Sequence, residues 1–160
     1  MARTSRILMS AVILAMSLPV VAAIAQAPTP VIGTWVLNVA KSKYEPGPPP
    51  KSQTRTYLAV PGGYRFTSDA VNAAGEKIHI EFTAAFDRKY HAMTGSPTAD
   101  SIMVKQVDAN TVESTQKKGA NVVQISQRTI SKDGKTLTVN TRGTSANGKP
   151  FTNLEMFDKK

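Results

Sequence analysis

From residue 32 onward the chain is cut into short strand-like runs by small turns, and that punctuation leaves few folds open. Ten runs read as strands: Ile32–Asn38, Gln53–Val60, Tyr64–Ala70, Lys77–Ala85, Lys89–Thr94, Ser101–Val107, Thr111–Lys117, Asn121–Ser131, Thr136–Arg142 and Phe151–Asp158. Between them lie Pro61-Gly62-Gly63, Ala74-Gly75-Glu76, Asp108-Ala109-Asn110, Lys118-Gly119, Asp133-Gly134 and Asn147-Gly148. Asp-Gly and Asn-Gly tolerate the positive φ of a tight reversal, so they mark hairpins. Strands joined by hairpin-length turns should be neighbours in space, giving an up-and-down meander. An open sheet of ten strands would leave two edges exposed, and twist brings those edges together. The expected fold is therefore all-β, an antiparallel barrel of about ten strands. A two-sheet sandwich is the runner-up, but its Greek-key crossovers need longer connections than most turns here provide.

Alternation sets the expected faces. Ile78, Ile80 and Phe82 share one side of their run, as do Leu137 and Val139, and Trp35 and Leu37. Two further sets, Val123/Ile125/Gln127 and Val112/Ser114/Gln116, mix aliphatic with polar residues, which suits a partly wet lumen better than a dry core. Residues 39–52 are the one long connection. They allow at most one helical turn before the Pro-rich stretch Glu45 to Pro50, which lacks the N–H groups a strand needs.

Residues 1–25 have the parts of a signal peptide: Arg3 and Arg6, an apolar run from Ile7 to Val21, and Ala23-Ile24-Ala25 before the expected cleavage point. The apolar run is shorter than the ~20 residues of a membrane span, so removal is expected over retention as an anchor. Residues 26–160 would then form a single domain in the periplasm or outside the cell. The absence of cysteine fits a bacterial exported protein without disulfides and rules out an acylated-cysteine lipoprotein.

The net charge is +9, falling to +7 if Arg3 and Arg6 are removed. A basic exported protein meets anionic envelope surfaces. Its Lys and Arg residues are scattered, however, and no cluster interleaves them with stacking aromatics, so nucleic acid is not an expected partner.

Gly33-Thr34-Trp35 resembles the Gly-x-Trp motif that opens the first strand of lipocalins and the related fatty-acid-binding proteins. The resemblance implies that Gly33 and Trp35 close one end of the barrel, with an Arg from the last strand stacked on the indole. The last run contains no Arg, so Arg142 on the penultimate one is the expected substitute. Most of the chain also resembles a group of small exported bacterial proteins of unassigned function. These open with Gly-Thr-Trp-x-Leu-Asn-x-x-Lys-Ser-Lys (Gly33 to Lys43), continue with Pro-Gly-Pro (Pro46 to Pro48), and later carry Ser-Lys-Asp-Gly-Lys-Thr-Leu (Ser131 to Leu137). That resemblance implies no activity.

Little in the chain points to catalysis or metal binding. His79, Glu81 and His91 could approach one another, but their face opposes Ile78, Ile80 and Phe82 and should meet solvent. There is no Gly-x-Ser-x-Gly elbow and no thiol. No catalytic residue, metal or cofactor is expected. The expected function is non-catalytic binding of a small apolar or amphipathic ligand by Tyr57, Phe66, Phe82, Ile102, Val104, Ile125 and Val139. Trp35, Leu37, Val123, Leu137 and Met156 are further cavity candidates. Two alternatives are an envelope structural or protein-interaction module with a solid core, and an enzyme using a polar lumen.

Overall fold

The computed structural model describes residues 30–160; the expected signal peptide lies outside them. Eleven strands form one antiparallel sheet. They are β1 (Gly33–Leu37), β2 (Lys43–Glu45), β3 (Ser52–Val60), β4 (Gly63–Val71), β5 (Lys77–Ala85), β6 (Tyr90–Thr94), β7 (Ser101–Gln106), β8 (Thr111–Lys118), β9 (Asn121–Ile130), β10 (Thr136–Thr144) and β11 (Pro150–Lys159). From β3 to β11 each strand pairs with the next, and β1 pairs with both β3 and β11, so ten strands close a barrel.

The ten expected strands are all present, with ends displaced by at most two residues. The eleventh is a correction. Lys43–Glu45 pairs with Leu154–Thr152 of β11, so only the prolines that follow are excluded from the sheet. Strand pairing therefore stops at the last residue before Pro46, where an N–H is still available.

β1 and β2 lie on the same edge of β11, separated by a short 3₁₀ turn, Val39–Lys41. Two side chains fasten this break. Asn38 caps the turn at the Lys41 N–H and donates to Asp158 Oδ2 at 2.8 Å. The Ser42 hydroxyl accepts from the Met156 N–H at 3.0 Å, replacing a missing ladder bond.

One end of the barrel is filled. Trp35, Tyr64, Leu137 and Phe157 are fully buried, and the Trp35 indole donates to the Val31 carbonyl at 2.7 Å. Gly33 adopts φ +131°, a conformation side chains resist, and a Cβ there would sit 3.2 Å from Lys159 Cε. That close approach carries the Lys159 ammonium to 5.1 Å from the Trp35 ring. A last-strand cation thus does cover the indole, but it is Lys159. Arg142 is exposed on the outer side of β10 and takes no part in closure. Strand parity decides this: Arg142 follows Thr141, which points inward.

Candidate functional site

The opposite end of the barrel is an open lumen of about 300 Å³, bordered at its mouth by Pro50, Asn72 and Ser96 to Thr98. At ~30 Å³ per water this is the volume of on the order of ten waters. The mouth loop depends on Gly95, whose φ is +76° and where a Cβ would lie 1.7 Å from the His79 carbonyl oxygen. With glycine there, β6 can lie against β5 and carry Ser96 to Thr98 over the opening. The Ser96 hydroxyl holds the loop by accepting from the Thr98 and Ala99 N–H groups.

Five of the seven expected ligand-binding residues line the lumen: Tyr57, Phe66, Phe82, Ile102 and Val139. Val104 is fully buried in the packed end and Ile125 is on the outer surface, 38% exposed. On β9 the inward residues are Gln124, Ser126 and Arg128, with Ile130 in the packed end. The expected phase of this strand is thus inverted. Hydrophobic alternation marks the inner face only where that face is apolar, and here it is polar. Val123 is half-buried against the core. Trp35, Leu37 and Leu137 belong to the core, and Met156 points away from its buried neighbours Glu155 and Phe157.

Three charged side chains line the lumen: Arg55, Arg128 and Glu155. Arg55 and Glu155 pair at 2.8 Å, with side chains only 13% and 10% exposed. The other Glu155 oxygen accepts from the Tyr44 hydroxyl at 3.2 Å, which ties β2 to the lumen wall. Burial, reinforced by the Glu155 carboxylate, pushes the Tyr44 hydroxyl above its ordinary range, so it remains a neutral donor.

Arg128 has no such partner. It is buried, and its Nε and Nη2 and the Tyr57 and Tyr64 hydroxyls make no well-aligned hydrogen bond, although both hydroxyls lie close enough to the guanidinium to stabilise its charge. Its guanidinium lies 5.8 Å from the Tyr57 ring and 5.5 Å from the Tyr64 ring, so these unmet polar atoms gather at the base of the lumen. Burial pushes the Tyr64 hydroxyl up to about 12 against the opposing pull of Arg128, so Tyr64 supplies no counter-charge at neutral pH. A guanidinium does not shed its proton. Both Glu155 oxygens are already engaged, so the lumen retains one unneutralised cation.

The two histidines are engaged separately, His79 with Asp69 at 2.6 Å and His91 with Asp87 at 2.9 Å, while Glu81 pairs with Arg65. His79, Glu81 and His91 therefore do not converge, and no group of three metal-ligating side chains occurs among the described residues. Hydrogen bonds to His91 and to the Lys89 N–H hold the Asp87 carboxyl below its ordinary range.

No protein-family model matches the chain, and no curated protein is similar to it in sequence.

Proposed function

We propose that this is an exported, non-catalytic, lipocalin-like barrel that holds a small amphipathic anion, with the anionic group bound at Arg128. The carrying observation is a buried guanidinium at the base of the lumen that has tyrosine hydroxyls but no carboxylate beside it. Keeping an uncompensated charge buried costs several kcal/mol, a cost that a bound carboxylate, phosphate or sulfate would offset. The hydroxyl of Tyr57, which lines the lumen beside it, is a donor for the same anion. The aromatic and aliphatic lining above supplies apolar area for the rest of the ligand. The open lumen favours this reading over a solid-core interaction module. With Glu155 saturated by Arg55 and Tyr44, it also favours binding over acid–base chemistry.

A matched pair of probes tests the charge requirement. 2-Naphthoate and 2-naphthamide have nearly the same shape and differ in charge. Calorimetric titration should give at least tenfold tighter binding of the naphthoate, since a hydrogen bond to a charged group is worth ~1.5–3 kcal/mol. Arg128→Met should remove the difference. Equal affinity of the two probes for the native protein, or no binding of either, would refute the proposal.

A further inference from the structure

The lumen has two chemically different walls, and this bears on the shape of the ligand; the inference rests on the anion-binding reading above. One wall is apolar apart from Ser68, whose hydroxyl accepts from Gln53: Phe66 of β4, Ile80 and Phe82 of β5, Met93 of β6 and Ile102 of β7. The Phe66 and Phe82 rings are stacked there, with centroids 4.7 Å apart and planes at 26°.

The facing wall, β8 to β11, is polar apart from Val139 of β10. Ser114 pairs with Ser126, Ser126 with Thr141, and Thr141 with Asn153, so hydroxyl and amide groups form one tier across four neighbouring strands. Ser126 and Thr141 share a hydrogen bond of 3.0 Å and Ser126 also accepts from the Gln124 amide at 3.2 Å, which leaves each hydroxyl with capacity for one further bond. The Asn153 amide makes no side-chain hydrogen bond among the described residues. The tier lies two residues from Arg128 along β9, a rise of about 7 Å.

We infer that the ligand is a compact, planar, ring-based anion bearing polar substituents along one edge, of the class of hydroxylated aromatic carboxylates. A saturated chain is the same on every side. Laid in this lumen, it would cover the serine, threonine and asparagine groups without replacing their bonds to water, and a buried polar group left unbonded is costly. A flat ring system satisfies both walls. Its apolar side lies against the Phe66–Phe82 pair, where aromatic contacts add to area burial, and its polar edge bonds to the tier while its anionic group reaches Arg128. A rigid ring also has less freedom to lose on entry than an alkyl chain.

Three carboxylates of similar size test this on the native protein by calorimetry: 6-hydroxy-2-naphthoate, 2-naphthoate and decanoate. The hydroxylated ring should bind about tenfold more tightly than the plain ring, in keeping with one good neutral hydrogen bond, and both should bind more tightly than decanoate. Thr141→Val, which keeps the shape and removes the hydroxyl, should reduce the advantage of the hydroxylated probe and tighten decanoate binding by relieving part of its desolvation cost. Decanoate binding as tightly as the naphthoates, or a hydroxyl without effect on the native protein, would overturn the ring assignment. The anion-binding reading would survive that result, because its own test is naphthoate against naphthamide.

Discussion

Replacing Arg128 with methionine should make the ligand-free protein more stable, the reverse of the usual result of altering a buried residue. Arg128 is almost entirely enclosed, and two of its donor nitrogens lack acceptors. Exchanging a buried ionic group for an apolar side chain of similar volume typically gains ~1–4 kcal/mol, and an unbonded buried donor costs ~1–3 kcal/mol. Against this stands the loss of cation–π attraction to Tyr57 and Tyr64. At 5.8 and 5.5 Å those contacts are near the outer limit, each at the low end of ~0.5–2 kcal/mol. Methionine keeps the length of the stem and adapts to the space. The net expectation is a gain of ~1–2 kcal/mol. Urea unfolding of protein stripped of ligand, followed by circular dichroism, should show a higher midpoint with an unchanged slope. A loss of 1 kcal/mol or more would mean that the guanidinium is already satisfied, and the case for a ligand anion would fall with it.

Trp35→Ala should destabilise by ~3–5 kcal/mol, as expected for a core aromatic, and Trp35→Phe by less, since it loses mainly the bond to Val31. Urea midpoints that differ from the native one by under 1 kcal/mol would exclude Trp35 as the closure of the packed end. Glu155→Gln should cost ~3 kcal/mol by leaving Arg55 buried without its partner, while tightening naphthoate binding because a second cation is freed. Weaker naphthoate binding in that variant would count against a cation-driven site. Tyr64 ionises near pH 10 when unfolded but at about 12 in the fold. Its share of stability is thus fully present below pH 10 and is lost as pH rises to 12, a change of ~2–3 kcal/mol. Denaturation at stepped pH should show this alkaline decline flattened in Tyr64→Phe; an identical decline in the variant would place the titrating group elsewhere.

The meander was legible because turn chemistry is local: Asp133-Gly134 and Asn147-Gly148 reverse the chain whatever surrounds them. The motifs that carry the sequence resemblances have structural roles here. Gly33 supplies a positive φ and Trp35 fills the packed end, Asn38 and Ser42 fasten the break between β1 and β2, and Ser131 and Asp133 cap the β9–β10 hairpin. The lumen was legible on β5, where Ile78, Ile80 and Phe82 face inward as their alternation requires. It was hidden on β9 because the wall there is polar, so the aliphatic Ile125 faces out and Arg128 faces in. Ile130 carried the correct phase: it lies opposite Leu137 beside the hairpin, and counting back by twos reaches Arg128, Ser126 and Gln124. Nothing local marked Arg55 and Glu155 as partners, because their sequence separation is bridged only when β1 closes the barrel between β3 and β11.

The most direct test of the central claim is a crystal structure of the protein with 2-naphthoate bound. A single molecule is expected in the lumen, its carboxylate within hydrogen-bonding distance of Arg128 Nε or Nη2 and its rings against Phe66 and Phe82. An empty lumen at saturating ligand, or a ligand with its carboxylate at the mouth and its rings over Arg128, would contradict it.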